Sequence, residues 1–566
     1  MATIVHNPDG WLYDPILPDS DSWPIVKLTR ERDEFLRELA ELSIANIKEE
    51  LGNNPANLKD ELARTLYTEK IRLTQTPWEA DKPDEKDFWS HIKRDMVRMD
   101  ADHETTGGPS VDELTERIVN RYAEEIAGVF DVKAYDFAKG FTTVLFSRLL
   151  NASQGKGLSR FYGSLHNLHD KIHLIGEIDH VRELAKRGTI IIVPTHFSNL
   201  DSMLIGWAIQ SIGLPPVLYG AGLNLFGIKI MAWFMNRLGA YKVDRRKKNL
   251  LYLETLKMYS ELSLRKGCNG LFFPGGTRSR SGTLEKRVKL GLLGTALQAQ
   301  RMNFIDHGEE AKKIFVIPVT INYNFVLEAQ SLIDQHLKIS GQEHYYVEND
   351  DFSTSSKMMR FIYKFFTASS EIAVRYGAPM DLFGNRVDEE GRSFDPHGHE
   401  VDIRKYFYSN GHITKDMQRD AEYTRMLGDL IVKSYHREAV VFCSQVVAFT
   451  AFRIFKLRHQ KMDLFALMRL PAEDLIIKPK ELMDGVDKLV DRLREMQANG
   501  EIHLEKEILE GSLSNIIKKG IANLGIYHTR LPLTFNEEGD LESQDIKLLY
   551  FYHNRLEGYE LHKVIR

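Results

Sequence analysis

Thr189-Ile-Ile-Ile-Val-Pro-Thr-His-Phe-Ser-Asn-Leu-Asp201 is the stretch that decides the fold. Residues 190–193 are all β-branched, and Pro194 ends the run. An uninterrupted apolar run of this length reads as a buried strand of a parallel sheet. His196 then stands where the strand stops, and Asp201 follows five residues later. Open α/β sheets place their chemistry at the carboxyl ends of strands. Five residues turn about 500° on a helix, so the two side chains would not share a helical face. They meet if His196 lies in the loop and Asp201 in the first turn of the next helix. The carboxylate then fixes the imidazole tautomer and leaves the other nitrogen as a general base.

The pair is not unique in a chain with 20 His. His397 and Asp402 repeat the spacing, but no apolar strand precedes them, so they read as an exposed loop. His397, His399 and Glu400 offer a minor metal-site reading. His-x-His in a polar loop lacks further convincing ligands, so no metal is expected.

Length and composition bound the rest. At 566 residues the chain has room for about three or four domains, or one large domain with appendages. Hydrophobic content of 43% and charged content of 27% are those of a globular protein. A net charge of −5 supplies no field for nucleic acid, and none is expected as a partner. Two cysteines, Cys268 and Cys443, exclude a disulfide scaffold and a Cys-rich zinc site, and fit a reducing compartment. The first residues lack the basic and apolar regions of a signal peptide. Residues 202–228 carry no charge but contain Pro215, Pro216, Asn224 and several glycines. They read as a buried helix, a break and an apolar lip rather than a span. The uncharged run 439–452 is too short to cross a bilayer and reads as a core helix. A peripheral position on a membrane surface is expected over a crossing.

The expected fold is α/β, a mostly parallel central sheet flanked by helices, with helical N-terminal and C-terminal regions. Residues 1–155 read as helical. Phe35, Leu36, Leu39, Leu42 and Ile47 form one stripe, and Ile118, Tyr122, Ile126 and Val129 a second. Residues 76–110 read as a loop, and 151–157 as a break and boundary. Residues 156–435 read as the α/β domain, with strands near 172–176, 190–193, from Gly239 into the basic loop, 270–273, 314–321 and 370–380. A helix over 180–187 ends at Gly188 in the usual C-terminal manner, and another covers 249–264. Residues 436–566 return to helix. Leu482, Val486, Leu489, Val490, Leu493 and Met496 share a face, and the aromatic tail 546–554 reads as core rather than site.

Two basic loops follow separate strands. In Pro274-Gly275-Gly276-Thr277-Arg278-Ser279-Arg280 the adjacent glycines let backbone N–H groups approach an anion. Arg278 and Arg280 offer paired donors to phosphate oxygens, and Thr277 and Ser279 add hydroxyls. The loop lacks the Gly-Lys-Ser/Thr of a P-loop, which argues against nucleotide binding of that type. The second loop adds Arg245 and Arg246. Singly, each is an ordinary solvated basic turn. Together, beside a third strand ending in His, they suit a phosphorylated substrate.

These blocks resemble the glycerophospholipid acyltransferases, which include the glycerol-3-phosphate and lysophosphatidate acyltransferases. The resemblance rests on four blocks in order: His196 to Asp201, Gly239 to Arg245, Phe273 to Ser279, and Val316-Ile317-Pro318-Val319. It covers roughly residues 170–385, and the long helical N-terminal extension and the tail from Leu549 fit the longer glycerol-3-phosphate members. One departure stands out: the family's Glu in the third block is Gly275 here. The resemblance implies a glycerol-3-phosphate O-acyltransferase of phospholipid synthesis, on the cytoplasmic side of a membrane. His196 would be the general base and Asp201 its orienter. Arg245, Gly275, Gly276, Thr277, Arg278, Ser279 and Arg280 would hold the phosphorylated glycerol acceptor. Acyl-CoA or acyl-carrier protein would be the donor, with no other cofactor. Lysophosphatidate acylation, a thioesterase-like hydrolase and a non-catalytic lipid-binding relative are the competing readings.

Overall fold

The computed structural model describes residues 13–78, 81–101, 109–138, 140, 171–223, 232–233, 235–340, 371–526 and 528–565. Its centre is a seven-stranded sheet of β1 (Ile172–Gly176), β2 (Thr189–Pro194), β3 (Leu218–Gly222), β4 (Ala240–Val243), β5 (Gly270–Leu271), β6 (Ile314–Tyr323) and β7 (Ile372–Tyr376). The spatial order is β1-β7-β6-β2-β5-β3-β4. Every neighbouring pair is parallel except β6 with β7. The sheet is therefore mostly parallel, with β1 and β7 running against the rest. β2 and β6 lie side by side, with Ile191 opposite Val316 and Val193 opposite Pro318, and every residue of both strands is buried. That two-sided burial is why both strands read as unbroken apolar runs.

Helices cover both faces. One core packs Ile190, Ile192, Ile317 and Val319 against the helices Asp201–Ser211 and Cys443–Arg458, and runs on without a break to Ile565. A second joins the N-terminal helices to the helix Leu250–Arg265. A third lies on the opposite sheet face under Gly291–His307 and Met417–Glu438. All six residues of the 482–496 stripe are buried on the helix Pro479–Ala498. Each of its leucines adds about 1.5–3 kcal/mol relative to an exposed position.

Several expectations need correction. Residues 76–110 hold a helix, Glu85–Ala101, rather than only a loop. Trp89, Ile92 and Met96 are its buried face, a helical spacing hidden among charged residues. Val129 lies beyond the end of the helix Val111–Ile126 and is exposed. Gly188 ends its helix in an extended conformation, φ −153° and ψ −169°, not a left-handed one. It is glycine because a Cβ there would lie 2.3 Å from the carbonyl oxygen of Lys313. After the Pro215-Pro216 break the chain enters β3, a strand of the central sheet, where the Tyr241 ring lies over Gly220. Residues 224–228 of the expected lip, and the boundary at 151–157, fall outside the described residues. The C-terminal region also holds short strands, including Val440–Val441 paired with His503–Leu504.

Glu438 ties this region to the sheet. Its carboxylate meets Arg375 of β7 at 2.8 Å, Arg437 at 2.9 Å and His503 at 3.4 Å, and its backbone oxygen accepts from the Thr320 hydroxyl. Burial pushes this carboxyl up, but the hydrogen bonds from His503 and Arg375 and the charge of Arg375 outweigh it and hold the group at about 2. A depressed carboxyl stabilises the fold fully above its ordinary value of 4.5, and the contribution fades as pH falls toward 2. Glu438→Gln is therefore expected to lower stability clearly at pH 7 and progressively less below pH 4.5. Urea unfolding of both proteins from pH 7 to 3 measures the closing gap.

Candidate active site

β2 delivers His196 to the carboxyl edge of the sheet. The Thr195 N–H still donates to Val319 O, and its hydroxyl accepts from Ile321 N, so β6 fixes the strand end to the residue before the histidine. The chain then turns, and the helix Asp201–Ser211 begins. His196 Nδ1 lies 2.8 Å from Asp201 Oδ2. The same oxygen accepts from the backbone N–H of Phe197 at 2.6 Å and of Ser198 at 2.9 Å. The other oxygen accepts from the Tyr323 hydroxyl at 2.5 Å. Asp201 is 0% exposed, and its position in the first turn of a helix favours negative charge. The His196 side chain is 18% exposed and stacks on Phe273 at 4.2 Å. With Nδ1 on the carboxylate, Nε2 is the nitrogen left to face a substrate. Burial, and then the charge of Asp201, push the Tyr323 hydroxyl well above its usual range, so it stays a donor.

The glycine-rich loop closes on this pair from β5. Ser279 N donates to His196 O at 2.8 Å. Gly276 turns the loop at φ +76°, and a Cβ there would run into the Lys289 side chain. Arg245, at the end of β4, donates to Gly276 O at 2.7 Å, so the two basic loops meet. Arg278 reaches Glu328 at 3.4 Å, and Glu328 also accepts from Ser198 Oγ and Asn199 N of the His196 loop. Ser279 Oγ is spent on Thr283 O, while Thr277 is exposed. Arg280 lies near His336; burial, and then this arginine, hold that imidazole below its usual range. The fold thus brings His196, Asp201, Arg245 and residues 275–279 to one edge. Arg280 has no direct tie to the histidine.

Arg246 belongs elsewhere. Its guanidinium lies over Trp78 at 3.8 Å and bonds Asp244, Asp81 and Thr76 O. It anchors the loop to the N-terminal helices instead of facing a substrate. The His397–Asp402 copy is inert in this sense: His399 is exposed and turned to Asp395, and Asp402 pairs with Arg404. Among the described residues no group of three or more His, Cys, Asp or Glu could hold a metal. Burial pushes the Cys268 thiol up to about 12, which disfavours a thiolate nucleophile there.

Four site residues were missed from sequence. Tyr323 ends β6, and Glu328 stands just before the helix Ala329–Ser340; a carboxylate just past a buried strand was the available signal. Glu285 accepts from His196 N at 3.0 Å. Arg555 stacks its guanidinium on Phe197 at 3.5 Å. Glu285 comes from a loop with no motif, and Arg555 follows a tail that resembles the longer family members but reads as core, so neither was marked as a site residue.

Residues 177–322 match the acyltransferase family. A glycerol-3-phosphate acyltransferase of Aeromonas hydrophila is 24% identical over 392 residues, 69% of this chain and 44% of that protein. One from Alteromonas mediterranea is 32% identical over 190 residues, 32% of this chain and 22% of that protein. The matched stretches therefore span less than half the length of these relatives. The crystal structure of a 1-acyl-sn-glycerophosphate acyltransferase from Thermotoga maritima covers 68% of this chain and 96% of its own. Its 12% identity and TM-score of 0.25 carry no argument. Residues 177–322, which hold the His196–Asp201 pair, Arg245 and the glycine-rich loop, are thus the part of the chain that matches the acyltransferase family, and the chain is similar to glycerol-3-phosphate acyltransferases.

Proposed function

We propose that the protein transfers a fatty acyl chain from acyl-CoA or acyl-carrier protein to a hydroxyl of glycerol 3-phosphate. The observation that carries the reading is the buried Asp201 carboxylate on His196 Nδ1, beside a loop joined by Arg245. His196 Nε2 removes the proton from the acceptor hydroxyl as its oxygen attacks the thioester carbonyl. Asp201 stabilises the imidazolium that forms, as in a Ser-His-Asp triad but without a covalent enzyme intermediate. The collapsing intermediate breaks the carbon–sulfur bond, and the imidazolium returns its proton to the departing thiol. Arg245, the backbone at Gly275, Thr277 and Arg278 hold the acceptor phosphate and present its alcohol, while the N–H groups of Gly276 and Ser279 and the Ser279 hydroxyl are engaged within the protein. The chemistry needs only side chains, so no cofactor beyond the acyl carrier is proposed.

The names of the curated relatives favour glycerol 3-phosphate over lysophosphatidate, the second acceptor to test. A thioesterase would have no use for the cationic loop, since water needs no phosphate clamp. No helix among the described residues is long and apolar enough to cross a membrane. We place the protein peripherally on the cytoplasmic side of one, where acyl products partition.

Purified His196→Ala protein is expected to lose 10²–10⁴-fold or more in acyl transfer, the worth of a general base. Radiolabelled glycerol 3-phosphate and lysophosphatidate, each with both donors, measure it; parental rates in the variant would sink the assignment. Arg245→Ala is expected to raise KM for the phosphorylated acceptor at least fivefold while kcat changes little. Tyr323→Phe leaves the buried Asp201 Oδ1 without its hydroxyl donor, a loss of about 1–3 kcal/mol in urea unfolding, with a reduced kcat.

A further inference from the structure

Glu285 sits where the mechanism above gives it no role. Its Oε1 accepts the His196 backbone N–H at 3.0 Å. Its Oε2 is buried and has no hydrogen-bond partner. A Cβ placed on Gly275 would point straight at this carboxyl, 3.2 Å from Glu285 Cγ and 3.3 Å from Oε1. A side chain grown from 275 would press on the Glu285 side chain, so glycine at 275 leaves that carboxyl its room.

The counter-charge comes from the far end of the chain. Arg555 is 6% exposed, and its Nη1 has no partner. Burial pushes this guanidinium down to about 10, while Glu285 and Asp201 pull it back up. The tail that carries it is fastened to the same loop: Asn554 Nδ2 donates to Ser281 O at 2.9 Å, and Phe551 O lies where a Cβ on Gly282 would fall. A buried carboxyl and guanidinium, each with an atom unmatched, are costly to stability.

We propose that Glu285 is a positioning residue that holds the His196 loop through the histidine's backbone N–H, and that positions 275 and 285 are alternative anchorages for one carboxylate. The proposal rests on the acyl-transfer reading, but half of its test does not.

The experiment compares the full-length parent, Glu285→Ala, Glu285→Gln, Gly275→Glu and the double variant Gly275→Glu/Glu285→Ala. Melting temperature is read first, without substrate. Gly275→Glu is expected to lower it in the parent and much less in the Glu285→Ala background, the coupling of two groups sharing one space. Equal effects in both backgrounds would overturn the shared volume. Acyl transfer is read next. Glu285→Ala is expected to lower kcat at least thirtyfold, with KM for the acceptor within twofold. Glu285→Gln, which keeps an acceptor oxygen at the same place, is expected to retain most of kcat. The double variant is expected to recover at least tenfold over Glu285→Ala. A Glu285→Ala enzyme within twofold of the parent, a change confined to KM, or a double variant no better than Glu285→Ala would overturn the positioning role. A parent that acylates neither acceptor would overturn the proposed function instead, and with it the kinetic half alone.

Discussion

A single buried carboxylate organises the functional edge of the molecule. Asp201 collects donors from the His196 ring, two backbone N–H groups and the Tyr323 hydroxyl. An ionised group taken fully out of water is tolerable only when its lone pairs are met this way. Each donor comes from a place the sheet has already fixed: the end of β2, the turn behind it, and the end of β6. The same bonds that make the charge bearable therefore lock the imidazole. A change in strand register by one residue would turn the histidine to the other face and strand the carboxylate.

The cationic side is held by a different device. Arg245 is exposed, but Arg246 and Lys247 after it are not. Lys247 is buried against Glu125 at 2.7 Å, and Arg246 is fastened to Asp244 and Asp81. Arg72 of the N-terminal helices bonds Glu69, Asp81 and Glu85 in the same buried network. Buried ion pairs add little net stability, because desolvation offsets their attraction, yet they demand one geometry. Their effect is to fix the loop whose first arginine touches Gly276. The N-terminal helices, which carry no recognisable chemistry of their own, thus bear on the site through its scaffold.

The tail bears on it more directly. Its aromatics do pack as core, with Phe449 and His553 stacked at 4.8 Å, but two residues later Arg555 lies on Phe197, next in sequence to His196. One core runs from the central sheet to the last described residues, so the C-terminal helices and the central sheet share their interior.

Residues 190–193, 314–321 and the 482–496 stripe were legible because burial on a known face imposes a period or an unbroken run, and either survives in one dimension. His196 and Asp201 were legible for the same reason: a strand end and a helix start lie close in sequence, so their meeting is local. Gly275, Gly276, Arg278 and Ser279 were legible as a loop with donors. No local pattern separates the adjacent arginines 245 and 246; the resemblance singled out Arg245, and the contacts with Trp78 and Asp81 show Arg246 fastened elsewhere. The sequence alone could not reveal Tyr323, Glu328, Glu285 and Arg555. Their partners lie up to hundreds of residues away, and a side chain's neighbours across such distances are set by how the sheet and helices pack, which no local pattern records.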